Sequence, residues 1–291
     1  MLRFSAMVLC GALIGMPAQK PEADHASAAA LISELSGEAS IGSPARAVAK
    51  AKRFDTLTAG QTLTMLPKSR AVVVLAGGRR FEFGSEARAT VGEDELAVMS
   101  GPIKELPALP TLPKLAALDE SRPRGAPGAV RLRGREISGL RPDHVVLASA
   151  AVTFTFQPVT GASRYAVEIE DNQGRLVLRR EVDTAELTVP AGTLAPDATY
   201  HWTVETVNTV GSTARGASRF ATLSEEEARR RDALRNALAS QGSPDEALLA
   251  EVDRRLGLYR EALRGFRTAL VEHPGDPAVL RAVQWLDARL K

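Results

Sequence analysis

Apolar and polar positions alternate along much of the chain, and this pattern predicts β-strands. Residues 152–156 (Val-Thr-Phe-Thr-Phe) and 165–170 (Tyr-Ala-Val-Glu-Ile-Glu) follow it closely. Side chains two residues apart share one face of a strand, so Tyr165, Val167 and Ile169 are expected to face a core. The pattern therefore predicts a half-buried sheet in this part of the chain.

The first hundred residues show the same pattern in shorter pieces. An apolar run at 71–75 and an alternating run at 79–83 flank two glycines, which favour a tight hairpin. Further short strands are expected upstream, at 35–41 and 57–63. Residues 31–101 are thus predicted to form a small β domain.

Short motifs in this segment are similar to those of a known family. The Gly-Glu-x-x-Ile strand at 37–41, the Leu-x-x-Gly-x-x-Leu turn at 57–63 and the alternating strand that ends in a glycine hairpin resemble the FecR domain family. The resemblance covers 31–101 and implies a binding or signal-receiving module. The iron-uptake regulators of that family carry a membrane helix before the domain, a feature that this sequence does not show.

Residues 102–128 are predicted to be an extended linker. Six of the 17 prolines of the chain lie there. Proline has no backbone N–H group and fixes φ, so the stretch is expected to act as a spacer between domains.

The segment 129–223 resembles a fibronectin type III domain. Its most specific stretch is Leu-Ala-Pro-Asp-Ala-Thr-Tyr at 194–200, which is similar to the Leu-x-Pro-x-x-x-Tyr motif of that family. The resemblance implies a β-sandwich in which the tyrosine hydroxyl bonds back to the chain at a strand corner. Tyr200, Trp202 and Val204 would then face the core.

The C-terminal residues 224–291 are predicted to be helical. Ser224 and Ser243 each stand three residues before a glutamate, as in a capping box, and Asp276 precedes a proline. These are three signals for a helix start. The fold class expected is therefore mainly β with a helical C-terminus.

Part of this helical end resembles a single tetratricopeptide repeat, over 243–291. The pattern Gly-x-Tyr-x-x-Ala-x-x-x-Phe-x-x-Ala at 257–269 is similar to the second helix of the repeat. Leu249, Ala250 and Val252 fit its first helix. The resemblance implies a helical hairpin used in protein binding.

The N-terminus has the pattern of a secretory signal peptide. Arg3 precedes an uncharged run from Phe4 to Met16, and a small residue follows at Ala18. We expect a leader at 1–18, with an alternative cleavage site at up to about 28. The expected location is the periplasm or outside the cell, and the run is too short for a stable membrane anchor.

Composition and motif content argue against several classes of function. The formal net charge is +2, from 37 basic and 35 acidic side chains, which argues against a nucleic-acid-binding protein. Cys10, within the leader, is the only cysteine, so the mature protein is expected to form no disulfide or thiolate zinc site. We find no Walker loop, zinc-protease motif, dinucleotide fingerprint or serine-hydrolase elbow in the sequence. We therefore expect a non-enzymatic protein with no catalytic residues, no metal and no cofactor.

Several polar clusters are interpreted as ordinary surface features. Glu168 and Glu170 share a strand face, 93–95 form an acidic turn, and 229–231 give a basic helix patch. Adjacent charges of this kind are usually solvated. The histidines, which are scattered and expected at surface or capping positions, are His25, His144, His201 and His273.

A partner-binding site is expected in the helical end, at Trp285 and Tyr259. The apolar stripe of the last helix is already filled by Leu280, Val283, Leu286 and Leu290. Trp285 is thus expected to be exposed as an anchor beside the turn at Tyr259. The function predicted is that of an exported adaptor or scaffold of the bacterial envelope, binding a protein or a cell-wall glycan. The alternatives are an accessory subunit of an envelope enzyme or transport system, and an anchored FecR-type signal receiver.

Overall fold

The computed structural model describes residues 28–43, 46–113, 135–207, 213–241 and 245–290. These residues form β-sheets followed by a C-terminal helical segment, which confirms the expected fold class. The predicted leader at 1–18 and residues 114–134 of the linker region lie outside the described residues. In the described ranges, no helix combines the length and the apolar character needed to cross a membrane.

The N-terminal β domain contains ten strands in two antiparallel five-stranded sheets. Its strands are β1 (Ala28–Ser36), β2 (Ala39–Ser43), β3 (Arg46–Lys50), β4 (Thr56–Thr58), β5 (Thr62–Met65), β6 (Arg70–Leu75), β7 (Arg80–Phe83), β8 (Arg88–Val91), β9 (Leu96–Ser100) and β10 (Ile103–Leu106). The first sheet has the order β10-β7-β6-β1-β4, and the second has the order β3-β2-β5-β8-β9. The predicted hairpin between β6 and β7 is confirmed.

The central strands of the first sheet, β1 and β6, are buried on both faces. Ile32 and Val73 face the core between the two sheets, whereas Leu31 and Val74 belong to a second core shared with the helices. A strand that is covered on both sides needs apolar residues at successive positions. This explains why Ala71–Leu75 is a continuous apolar run.

The linker prediction is wrong at its beginning. Residues 103–106 are not a spacer but strand β10, which pairs with β7. Leu109 and Leu112, which follow it, are buried in the core shared with the helices. Their amides donate to the carbonyls of Gly78 and Ala76. Leucines alternate with the prolines in this stretch. Because burial of the leucine side chains is favourable, the stretch packs against the domain instead of extending away from it as a spacer.

Residues 135–223 form a sandwich of two sheets. Its strands are β11 (Arg135–Glu136), β12 (Val145–Val146), β13 (Val152–Thr155), β14 (Tyr165–Asp171), β15 (Leu176–Val182), β16 (Glu186–Val189), β17 (Thr199–Thr206) and β18 (Ala214–Thr222). One sheet has the order β11-β18-β17-β14-β15, with β12 also paired to β18, and the other is the pair β13-β16. Tyr200, Trp202 and Val204 alternate into the core as expected.

The helical segment consists of α1 (Glu225–Ser240), α2 (Glu246–Leu256), α3 (Tyr259–Glu272) and α4 (Pro277–Arg289). Ser224 and Asp276 cap α1 and α4 as predicted. The prediction that Ser243 caps the second helix is wrong. Helix α2 begins at Glu246, and the carboxylate of Asp245 accepts from the amide of Leu248. Aspartate is as good a cap as serine, and here it stands directly before the helix.

These helices contact both β units. Phe54 of the N-terminal β domain packs edge-on against Phe266 of α3, with ring centroids 5.7 Å apart. On the sandwich side, the ring of His144 stacks on Tyr259 at 5.8 Å, and Arg289 bonds Asp143 at 3.3 Å. The helical segment therefore joins the two β units.

Gly257 offers a test of the contact between helices and sandwich. It ends α2 with a φ of 81°, and a Cβ at this position would lie 2.9 Å from Cγ2 of Val145. We expect Gly257→Ala to lower the free energy of unfolding by about 2 kcal/mol, from strained φ together with the clash. Gly161→Ala is the matched control, because its φ is 86° and its Cβ would meet nothing within 4 Å. Thermal melting of the two variants should differ, and equal losses would mean that Val145 does not press on this turn.

Candidate functional site

A cleft with a volume of about 1080 Å³ lies between the N-terminal β domain and the helical segment. One wall comes from the end of β1, the turn after β3 and the first residues of β6 and β7. The other comes from the end of α1, the start of α2 and the turn between α3 and α4. Its titratable lining residues are Glu34, Lys52, Arg53, Arg70, Arg80, Asp245, Glu246, Glu272, His273, Asp276 and Arg281.

Arg53 joins the two walls. Its guanidinium donates to the backbone oxygen of Ser33 at 2.6 Å and to the carboxylate of Asp276. It also lies 3.6 Å from the carboxylate of Asp245. Both carboxylates cap helices, so one cation holds the N-termini of α2 and α4 against the β domain.

The two carboxylates differ in their affinity for protons. Burial raises the pKa of Asp276, but hydrogen bonds from Arg53 and from the amides of Ala278 and Val279 outweigh it and hold the pKa below its usual value. Burial also raises the pKa of Asp245, and there the charge of Arg53 and the amide of Leu248 do not overcome it. Asp276 is thus the firmly ionised partner of Arg53.

Phe54 and its backbone carbonyl also connect the N-terminal β domain to the helices. Phe54 has a φ of 73°, and its ring lies in the core of the helical segment. Its backbone oxygen accepts a hydrogen bond of 2.7 Å from Arg255 of α2. The turn after β3 therefore inserts an aromatic ring between the helices while Arg53 binds the caps.

The remaining cations of the cleft fall into two groups. Arg70 is paired with Glu34 at 3.2 Å and with Glu82 at 2.9 Å. Lys52, Arg80 and Arg281 have no carboxylate of the described residues within 4 Å. Arg80 donates to the side-chain oxygen of Gln241 at 2.8 Å. Lys52 and Arg281 act on Asp55 from a greater distance: burial raises the pKa of Asp55, and their charges oppose that rise. They are the cleft cations that a ligand could neutralise.

The predicted site residues Tyr259 and Trp285 do lie together, with ring centroids 5.4 Å apart. The structure nevertheless differs from the expectation of exposure. Tyr259 is only 5% exposed, because it sits between Trp285 and His144 of the sandwich. Trp285 is half-buried, and the guanidinium of Arg254 lies 5.7 Å from its ring. Partner binding at this pair stays a prediction.

The apolar stripe that the sequence predicts for α4 is only partly buried. Leu286 is fully buried, but Leu280 is 38% exposed. Trp285 packs against the core of the helical segment, where its ring meets Tyr259 at the start of α3 edge-on. The expected surface histidines include one error: His144 is buried at the interface with the helices.

Sequence reasoning missed the cleft because its parts are far apart in the chain. Lys52 and Arg53 lie more than 190 residues before Asp245 and Asp276. The local signals are present in the sequence: Asp276-Pro277 predicts a helix cap, and Arg53-Phe54 is a charged residue beside an aromatic one. Nothing in a single sequence shows that the two meet.

The acidic clusters show no metal-binding arrangement. In the described part of the chain, no three His, Cys, Asp or Glu side chains come together so as to hold an ion. Glu168 forms an ion pair with Arg179 at 3.1 Å, and Glu93, Asp94 and Glu95 are exposed in a turn.

The sandwich has the strand arrangement and the corner of a known fold. The hydroxyl of Tyr200 accepts a hydrogen bond of 2.8 Å from the amide of Ala195, across the start of β17. The sheet of β18, β17, β14 and β15 faces the pair β13-β16. The sandwich has a fibronectin type III-like fold.

Known proteins resemble this chain only in part. No family model matches the chain, and no curated protein matches it. Similar solved structures are FN3tt mut, with 18% identity over 29% of this chain and 92% of that one, and CopC from Methylosinus trichosporium OB3b, with 23% identity over 28% and 83%. Another comprises the FN1-FN3 domains of chicken CNTN1, with 11% identity over 64% and 55%.

The TM-scores of these three structures are 0.21, 0.23 and 0.25. Because all are below 0.5, the fold of the sandwich is assigned from its own strand order and tyrosine corner.

Proposed function

We propose that this chain is an exported, non-catalytic adaptor or scaffold of the bacterial cell envelope. Its partner, a protein or a cell-wall glycan, would bind in the cleft between the N-terminal β domain and the helices. The observation that carries the proposal is a cleft of about 1080 Å³ whose two walls come from different units. Clefts between units are common places for ligands to bind.

Within this proposal the N-terminal β domain is FecR-like, and α2 with α3 is a single hairpin of the tetratricopeptide type. Small residues support the second assignment. Ala262 and Ala269 are buried on α3, and a Cβ at Gly265 would lie 2.9 Å from the Cβ of Ala250 on α2. The two helices thus approach closely where the repeat pattern has small residues.

Three of the carboxylates that line the cleft already have structural partners. Asp245 and Asp276 serve as helix caps and as partners of Arg53, and Glu34 is paired with Arg70. Carboxylates with these tasks already have their lone pairs engaged. Lys52 and Arg281, which have no ion pair within 4 Å among the described residues, are the cations that would recognise a carboxylate on a protein or on a glycan peptide.

Export is the part of the proposal that rests on the sequence pattern of residues 1–18. A periplasmic or secreted protein meets envelope proteins and cell-wall glycan as its large neighbours. The fibronectin type III-like sandwich is then a second binding surface or a spacer that positions the cleft.

The test is a charge reversal in the cleft. We expect Lys52→Glu with Arg281→Glu to reduce binding about tenfold, because the ligand's anionic groups would meet negative charge instead of positive. Two probes are used: co-sedimentation with purified peptidoglycan sacculi, and crosslinked recovery of envelope proteins from native cells.

The control is Arg180→Glu, which changes an exposed arginine on β15 of the sandwich. It should leave both measurements unchanged. If the cleft variant binds sacculi and envelope proteins as well as the wild type does, the cleft is not the binding site.

A further inference from the structure

The outer face of α3 carries a row of arginines. Arg260, Arg264 and Arg267 are all exposed. They follow one another at intervals of four and three residues, which places them on the same side of the helix. The opposite side of α3 is buried, with Tyr259, Ala262, Phe266 and Ala269. The arginines therefore point away from the core of the helical segment.

The same face has an apolar part. Val271, one turn beyond Arg267, is 81% exposed, and Leu263 is half-buried. With Thr268 and the three arginines, they line a shallow depression of about 450 Å³. All of its lining residues belong to α3, so no second element forms a wall beside it.

The exposed arginines of α1 provide a comparison. Each is neutralised within its own helix by an acidic residue three or four positions away. The pairs are Arg229–Glu225, Arg230–Glu226 and Arg235–Asp232. Pairs with this spacing are ordinary on a solvated helix surface and need no ligand.

The arginines of α3 lack this balance. Arg267 forms an ion pair of 2.7 Å with Asp287 of α4. No carboxylate of the described residues lies within 4 Å of Arg260 or Arg264. Because like charges four residues apart destabilise a helix, this pair is unfavourable in the free chain. An anionic surface would remove the repulsion.

We propose that this face of α3, with Arg260, Arg264, Arg267 and Val271, lies on an anionic phospholipid surface. The guanidinium groups would donate to phosphate oxygens of the headgroups. Val271 would enter the boundary between the headgroups and the acyl chains. An exposed apolar side chain among cations is typical of helices that lie in a membrane interface.

A bilayer fits this face better than an acidic protein segment does. Peptide segments generally bind in a groove or along a sheet edge, whereas the depression on α3 is open on both sides. A plane of phosphate groups can contact a row of arginines on a convex helix without any groove. The face shares no residue with the cleft between the N-terminal β domain and the helices, so this proposal does not depend on the proposed function.

The expected association is weak and depends on salt. Three arginines are fewer than the roughly four to eight basic residues of strong lipid-binding clusters. We expect binding to vesicles of phosphatidylcholine with about one-third phosphatidylglycerol, and none to phosphatidylcholine alone. Salt at about 0.5 M should release the protein, because it screens exposed charges.

Co-sedimentation with these vesicles tests the proposal. It uses residues 19–291, because the apolar run at 4–16 would itself insert into lipid. Arg260→Glu with Arg264→Glu should weaken binding about tenfold, since negative charge would then face the phosphates. Arg180→Glu with Arg219→Glu is the matched control: it changes the net charge equally, at two exposed arginines of the sandwich.

The control should bind as the wild type does. Equal losses in the two variants would mean that only net charge matters, and would overturn the proposal. So would a wild-type chain that binds phosphatidylcholine and mixed vesicles equally, or that binds neither. A wild-type chain that is retained on immobilised polyglutamate but not on vesicles would assign the face to an acidic protein instead.

A fluorescent label tests the insertion of residue 271. Cys10 is the only cysteine of the chain, so residues 19–291 with Val271→Cys take one environment-sensitive dye. Its emission should shift to the blue on the mixed vesicles, because the dye enters a less polar layer. A dye at Leu176→Cys, exposed on the sandwich, should show no shift. Unchanged emission from position 271 in a chain that binds would overturn the proposed face.

Discussion

Arg231→Leu is expected to lower the free energy of unfolding by about 3–5 kcal/mol. Arg231 of α1 is 3% exposed and Asp253 of α2 is 2% exposed. The guanidinium donates to both carboxylate oxygens, with Nη2 at 2.7 Å from Oδ2. Without the arginine, Asp253 would be a buried charge with no cation. Urea unfolding, followed by the helical circular dichroism signal, measures the loss.

Two further variants identify the cause. Arg235→Leu, on the same helix, breaks an exposed pair with Asp232 of 3.1 Å and should cost less than about 1 kcal/mol. Arg231→Leu combined with Asp253→Leu should recover most of the stability, because neither partner is left as a buried charge without its counter-ion. A double variant as unstable as the single one would contradict this explanation.

The loss should also depend on pH. Burial raises the pKa of Asp253 to about 6, against the hydrogen bonds and the charge of Arg231. Because the folded state binds this proton more readily than the unfolded chain, the contribution of Asp253 to stability falls as the pH rises from about 4 to 6. Without Arg231, the groups that favour the charged carboxylate are gone and the pKa of Asp253 should rise further. Removal of Arg231 should therefore cost more at about pH 8 than at about pH 5.

Trp202→Ala is expected to cost about 3–5 kcal/mol. Trp202 is completely buried in the sandwich, and its ring meets Phe154 edge-on at 5.1 Å. Its indole N–H donates to the carbonyl of Pro142 at 3.1 Å. The variant loses a large side chain and leaves a buried carbonyl without its donor. Thermal melting of the full chain, followed by the β-sheet signal, measures the effect.

Leu176→Ala is the control, since Leu176 is 57% exposed on β15 and should change stability by less than about 0.5 kcal/mol. If Trp202→Ala melts within a few degrees of the wild type, the strand register of β17 is wrong.

The local patterns of the sequence predicted the β-sandwich well because its strands are half-buried. Alternation along β14 and β17 directly reflects one face in the core and one in solvent. The first sheet of the N-terminal β domain is different. Its outer face packs on helices that follow about 150 residues later in the chain. The apolar run at 71–75 therefore predicts a buried strand, but it does not show which element covers that strand.

The same distance explains the errors at the site. Exposure of Trp285 is predicted from the apolar stripe of α4 alone. That prediction leaves out α2 and α3, which pack beside α4. Tyr259 looked like a surface turn because the sandwich residue His144, which covers it, lies 115 positions earlier. The caps Ser224 and Asp276 were predicted correctly, since a cap needs only its own helix.

Site-specific photo-crosslinking in native cells tests the central claim, that the cleft between the N-terminal β domain and the helices binds the envelope partner. A photo-reactive residue is placed at Glu272, which is exposed and lines the cleft, and in a second strain at Leu176, which is exposed on the sandwich outside it. The account predicts a discrete adduct, to one envelope protein or to glycan fragments, from position 272 and none from 176. Adducts of equal yield from both positions, or an adduct from 176 alone, would contradict it.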